Sequence, residues 1–429
     1  MRRSNIDLRG LVHLGKMSSG YFITTFINNA IPLLVLPILT RYLAPQQYAN
    51  VALFSFCLAL SNALIGISIP QVIAKHFFGS EKRQVAKLIG SSLFILAIFS
   101  LVAILLIILA YPFLRKIIDL KLFWLMLVPF TSFAFIAFSI GLTVMRNEKK
   151  SFLFGKHQIG NTVIDIAVSL VLVVLFLWGW QGRVGGIIIS YFISGLLMVY
   201  YLWSNEYISF AISKEPIKSV LDTAVPLIPH SLQSVIIFQV GLLFMQFYFS
   251  KKLLGLYAVA LQVAFAVKLL SNALVLSWSP YLYEQLAQKH TINKMYLTRM
   301  LLALVAVMSL GVLFIIFFSG IILRIMASKQ YSGAREFIPW FAIGYFFNGF
   351  YVFLTPFLIK FEKQRYISMV SFVNMIMMIV LNVLLVNAFG YIGTAYAFSI
   401  IFFLMFLAFA WKTQQVFPLP WLRALKIWN

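Results

Sequence analysis

The sequence predicts an all-α polytopic membrane protein, with twelve transmembrane helices in two parallel-repeat six-helix lobes around a central cavity. Three observations carry that expectation. Of the 429 residues, 62% are hydrophobic and only 10% charged, against roughly 25% charged in a soluble domain. Apolar runs of about 20 residues, each long enough to cross a bilayer as a helix, recur along the whole chain. The stretch SNALIGISIP (Ser61–Pro70) returns as SNALVLSWSP (Ser271–Pro280), 210 residues further on. Sheet-like alternation is missing, which argues against a transmembrane barrel.

The expected spans lie near 17–40, 47–75, 85–110, 122–145, 157–179, 184–204, 219–249, 253–283, 297–323, 337–359, 366–388 and 391–411. The first reads as a retained signal anchor, because its apolar region is too long for a cleaved leader. Trp124, Trp178, Trp180, Trp203, Trp340 and Trp411 fall near span ends, where indole rings prefer the interface. Cys57 is the single cysteine, so neither an internal disulfide nor a cysteine cluster for metal is available.

The two copies of the repeated word sit in spans two and eight. A shift of six spans keeps orientation, so the halves read as parallel repeats. The expected division is 1–210 for an N-terminal lobe, 211–411 for a C-terminal lobe and 412–429 for an interfacial tail. Prolines recur at matched places: Pro32 and Pro37 in span one, Pro226 and Pro229 in span seven, Pro70 and Pro280 in spans two and eight. Each frees a backbone carbonyl and permits a bend, serving either as a hinge or as a static kink.

The net charge of +23 would suggest nucleic acid in a soluble protein. Here the basic residues are spread over short loops, which instead sets orientation and excludes a nucleic-acid partner. The richer side collects the N-terminus and the loops at Lys75–Lys87, Arg146–Lys156, Lys214–Lys218, Lys289–Arg299 and Lys360–Arg365, together with the tail. That side is expected to be cytoplasmic, with both termini on it. The tail mixes Trp421 and Trp428 with Arg423 and Lys426, a composition suited to lying on a leaflet rich in anionic lipid.

Ionisable residues at membrane depth cost roughly 2.5–3.5 kcal/mol at a helix centre and normally face a cavity or a partner. Lys268 falls inside span eight, with Asn272 one turn on. It reads as a cationic contact for an anionic cargo, or as the partner of Asp165. Asp165 lies in span five between Asn161 and Ser169, either as a proton or cation site or as half of a structural pair. Arg41, at the outer end of span one, lines a cavity mouth or anchors the helix. His230 either titrates near neutral pH or packs as a polar filler. Asn62 and Asn272 are placed to hydrogen-bond across the lobe interface. No phosphate-binding glycine loop is visible, so ATP hydrolysis is not expected, and no catalytic or metal-ligating residues are assigned.

Three stretches carry a family likeness. LTRYLAPQQYANV (Leu39–Val51) resembles the "Arg, two residues, Gly-Pro, then Tyr-Gly" turn of bacterial polysaccharide flippases. AVPLIPHSLQ (Ala224–Gln233) and LLGLYAVALQVA (Leu253–Ala264) resemble the starts of their seventh and eighth spans. Ala44 and Ala49 replace the glycines of the first turn, whereas Gly255 is kept. The chain is similar to Wzx-type O-antigen flippases of the multidrug/oligosaccharidyl-lipid/polysaccharide exporter superfamily. That resemblance implies a bacterial inner-membrane protein that is not an enzyme. It would move undecaprenyl-diphosphate-linked O-antigen units to the periplasmic leaflet by alternating access, with H+ or Na+ as a coupling ion and no other cofactor. It also implies other O-antigen assembly proteins, a polymerase and a chain-length regulator, as partners. The rival readings are a multidrug antiporter of the same superfamily and a polymerase or ligase. The first is disfavoured by the scarcity of intramembrane acids, the second by the lack of a large extracytoplasmic loop.

Overall fold

A computed structural model of the chain describes Thr24 and residues 27–28, 30–66, 68–78, 80–209, 214–287 and 293–425; the side chains of His230, Ala287, Leu422 and Leu425 lie outside that description. The start of the expected first span therefore falls outside the described residues. Among them every regular element is helical. In order they are α1 (Ala30–Tyr42), α2 (Pro45–Ile65), α3 (Ile69–Phe77), α4 (Lys82–Ile117), α5 (Leu122–Asn147), α6 (Ser151–Leu170), α7 (Gly179–Ser204), α8 (Lys214–Ala224), α9 (Ile228–Tyr248), α10 (Lys251–Ala287), α11 (Lys294–Met326), α12 (Ile338–Lys360), α13 (Gln364–Phe389), α14 (Gly393–Val416) and α15 (Trp421–Leu425). Ten described segments are long and apolar enough to cross a membrane. The last of them, Gln364–Val416, holds both α13 and α14, and α1 is a shorter apolar helix.

The chain divides into two compact units. The first runs through Val35 and from Leu53 to Leu232; the second takes Leu36–Ala52 and everything from Gln233 onward. The expected boundary at 210/211 is therefore displaced, and a segment of the first span and its following turn belongs to the second unit. Membership follows packing rather than chain order: α8 lies against α3 and α4 of the first unit, with Val220 and Ala224 fully buried there.

Helices at matched places in the two halves are buried alike. In their most apolar windows α4 and α11 are each 17% buried, whereas α2 and α10 are each 56% buried, and α5 and α12 are 61% and 56%. α4 and α11 thus present most of their surface outward, as lipid-facing helices do. In the first unit α7 packs on α5 and α6; in the second α12 packs on α10 and α14. The second core is aromatic, with Phe341, Phe353, Phe357, Phe398 and Phe409 all fully buried.

The two copies of the repeated word fold differently. In the first, α2 stops at Ile65, Ser68 adopts a left-handed backbone (φ 54°), and α3 begins with Pro70 in its first turn. Pro70 is thus not a kink inside a long span two but part of a helix start, where its missing N–H costs nothing. In the second copy α10 runs unbroken past Pro280. Trp278, which takes the place of Ser68, is buried and donates its indole N–H to the Phe353 carbonyl of α12 (2.9 Å). That bond ties the helix to its neighbour through the region that proline weakens.

Span seven is also interrupted. α8 ends at Ala224, a 3-10 turn Val225–Leu227 contains Pro226, and Pro229 opens α9. Ser68 and Ser231, one beside each break, share a hydroxyl hydrogen bond of 2.9 Å inside the first unit. Pro32 lies in the first turn of α1 and Pro37 in its interior, with the helix continuous through both.

At one edge of the first unit a polar network closes the helix ends. Glu148 accepts from the hydroxyls of Tyr201 (3.0 Å) and Tyr207 (2.9 Å) and pairs with Lys150 (3.0 Å). The Glu148 bond raises the Lys150 ammonium above its ordinary range, and burial, reinforced by Glu148, pushes the Tyr207 phenol up to about 12.

Candidate functional site

The turn after α1 is held by residues of the second unit. The Tyr331 hydroxyl donates to the Leu43 carbonyl (2.8 Å), Lys251 donates to Asn50 (3.0 Å), and the Tyr48 hydroxyl donates to Gln262. The rings of Tyr48 and Tyr331 meet edge to face at 6.1 Å. Gly255 completes the seat, since a Cβ there would lie 1.9 Å from the Pro45 carbonyl oxygen. The two stretches that looked like separate motifs, Leu39–Val51 and Leu253–Ala264, therefore form one contact. Gly255 is kept because backbone meets backbone, whereas Ala44 and Ala49 fit where they stand.

Gly255→Val is expected to lower stability by about 1–3 kcal/mol or more, as overpacking does. Gly160→Ala, where nothing lies within 4 Å of the added Cβ, should be neutral or slightly stabilising in its helix. Thermal unfolding of the two detergent-purified variants checks the contrast.

Lys268 is the eighteenth residue of the 37-residue α10, close to its centre. Its ammonium lies 3.6 Å above the Phe238 ring of α9 and 5.6 Å from Phe265. Phe238 is backed by Phe402 (5.1 Å), Phe398 (6.2 Å) and Tyr345 (6.3 Å). The lysine thus turns towards an aromatic cluster of its own unit. It has no carboxylate partner among the described residues. Asn272, one turn on, is half-buried.

Asp165 has its ion-pair partner within the first unit. It is the fifteenth residue of α6 and is held by Arg183, the fifth of α7, through two bonds: Nη1 to Oδ1 at 2.5 Å and Nη2 to Oδ2 at 3.1 Å. Ser169 accepts from the same guanidinium (2.7 Å). A Cβ at Gly186 would lie 2.0 Å from the Ser169 hydroxyl, so the two helices meet at a glycine. Arg183 falls just before the expected span at 184–204, but α7 begins at Gly179 and takes it into the helix. Asn161, on the same stripe, buries an Oδ1 with no partner among the described residues.

Asn62 accepts from Ser132 of α5 (2.6 Å) within the first unit. Arg41 is exposed at the end of α1. The His230 side chain lies outside the described residues.

This all-helical arrangement is that of a multi-pass membrane protein. It superposes on an inward-facing multidrug resistance MATE family transporter of the MOP superfamily (TM-score 0.71, 13% identity, covering 92% of this chain and 95% of that one). It superposes equally on the lipid II flippase MurJ in an inward closed conformation (TM-score 0.71, 15% identity, 95% and 89%). Residues 14–286 match the family model described as "Polysaccharide biosynthesis protein", and the chain belongs to that family. The Lsg locus protein 1 of Haemophilus influenzae is 23% identical over 369 residues, covering 83% of this chain and 87% of that protein.

Proposed function

We propose that the protein flips undecaprenyl-diphosphate-linked O-antigen repeat units from the cytoplasmic to the periplasmic leaflet of a bacterial inner membrane, with both termini cytoplasmic, and that it performs no covalent chemistry. The observation that carries this reading is Lys268, a cation at the middle of a spanning helix with no carboxylate to neutralise it among the described residues. Such a group is suited to a diphosphate or an acidic sugar. Family membership supports polysaccharide as the cargo class. The physical need is large, since each sugar hydroxyl taken bare into hydrocarbon costs roughly 4–8 kcal/mol. A polar route removes that barrier while the prenyl tail stays in lipid.

Asn272, beside Lys268, and Asn62 contribute hydrogen bonds along the route in this reading, with Arg41 near its outer end. An H+ or Na+ gradient resets the protein. Asp165 and His230 are the candidate coupling groups, and a proton or cation at Asp165 would have to displace Arg183. Other O-antigen assembly proteins act before and after this step.

Sealed vesicles containing the purified protein and a fluorescent undecaprenyl-diphosphate oligosaccharide test the proposal. Protein-dependent exposure of the sugar on the opposite leaflet, faster under an imposed ion gradient, is the expected result. Extrusion of cationic dyes without sugar exposure would instead establish the multidrug antiporter reading.

A further inference from the structure

The segment after α14 folds back on the second unit and builds a small basic cavity. Gln414 clamps the turn: its side chain accepts from the Leu419 N–H (3.0 Å) and the Trp421 indole (3.1 Å) and donates to the Leu419 carbonyl (3.2 Å). Phe417, Leu419 and Ala424 are buried beneath, and Trp421 meets Phe350 of α12 at 6.3 Å. The result is a cavity of about 470 Å³ lined by Lys294, Gln414, Pro418, Leu419, Pro420, Trp421 and Arg423.

Its charge is one-sided. Lys294 opens α11 and Arg423 lies in α15, far apart in sequence, yet both line this space. No carboxylate lines it, and neither cation joins an ion pair among the described residues. Lys294 is steadied by the Phe417 ring, with its ammonium 4.9 Å from the centroid, a contact that leaves its full charge available. Two like charges held beside one cavity repel unless an anion sits between them. The depth is also defined. The lining residues flank the end of the spanning segment Gln364–Val416 and the start of Lys294–Met326, and Trp421 supplies the ring favoured at headgroup level.

We propose that this cavity binds the phosphodiester headgroup of an anionic membrane phospholipid. Arg423 offers a fork of N–H donors to two phosphate oxygens, Lys294 balances the charge, and the acyl chains continue along the outward face of α11. The site is separate from Lys268 and does not depend on the cargo assignment. Its role is to fix the segment after α14 to the membrane surface.

Native mass spectrometry of the full chain, equilibrated with mixed phosphatidylglycerol and phosphatidylcholine, tests this. The Lys294→Gln/Arg423→Gln variant should bind one phosphatidylglycerol about tenfold or more weakly, as expected for two lost surface cations. Phosphatidylcholine binding should be unchanged, Lys412→Gln should behave as wild type, and the charge-retaining Lys294→Arg/Arg423→Lys should lose less phosphatidylglycerol than the neutral variant, because the charge stays while the fork of Arg423 is gone. Equal retention by the neutral variant, or an equal loss in Lys412→Gln, overturns the site. Displacement of the lipid by millimolar inorganic phosphate would make it a free-phosphate site instead. On the wild-type protein alone, phosphatidylglycerol retention that does not fall with rising salt would also overturn it, whether or not the variants fold.

Discussion

Lys268→Ala is expected to cut surface display of the lipid-linked polysaccharide at least tenfold at matched protein levels, while Lys268→Arg keeps much of it. The argument rests on an energy that the fold does not recover. A lysine at the centre of a spanning helix costs roughly 2.5–3.5 kcal/mol on insertion scales. The Phe238 contact returns about 0.5–2 kcal/mol, and no carboxylate adds to it among the described residues. Removing the charge should therefore leave stability unchanged or raise it, so Lys268→Met is expected to melt no lower than wild type while translocating poorly. Opposite signs in the two measurements would place Lys268 on the cargo route. Loss of both would make it a packing residue, and retention of display by Lys268→Ala would remove it from the mechanism.

The second large effect is at Asp165 and Arg183. Both are mostly buried, with side-chain exposures of 20% and 16%. Removing one partner strands a charge, which costs about 3–5 kcal/mol in a fully buried pair. With the residual exposure here, about 2–3 kcal/mol is expected for Asp165→Asn or Arg183→Gln alone. The double neutral variant should recover most of that loss, because paired burial of charge is itself expensive. A melting-temperature cycle over the four proteins measures the coupling. Translocation then separates the roles: a double variant that refolds and still flips cargo identifies the pair as a tether between α6 and α7. One that refolds but ignores an ion gradient supports Asp165 as the coupling site.

Lys268 and Asp165 show where sequence reading succeeds and where it stops. Both are conspicuous because charge in an apolar run is costly whatever surrounds it, so their importance is legible one residue at a time. Their partners are not. Arg183 reads as a loop residue because hydropathy blurs a helix start over several positions. Phe238 is one of 43 phenylalanines, with nothing local to distinguish it. Asn62 and Asn272 share a repeated word, yet Asn62 bonds Ser132. Similarity in the chain does not specify which neighbour a side chain meets.

By itself the sequence determined the membrane class and most of the helices. Both follow from the transfer free energy of about 20 consecutive residues, a local sum that needs no knowledge of neighbours. Tertiary structure alone decided that Pro70 starts a helix whereas Pro280 lies within one, that Arg183 neutralises Asp165 while Lys268 faces the Phe238 ring, and that Pro45 rests on Gly255. These outcomes depend on the rotation and approach of helices distant in sequence, where a few tenths of an ångström between packed atoms separate contact from clash.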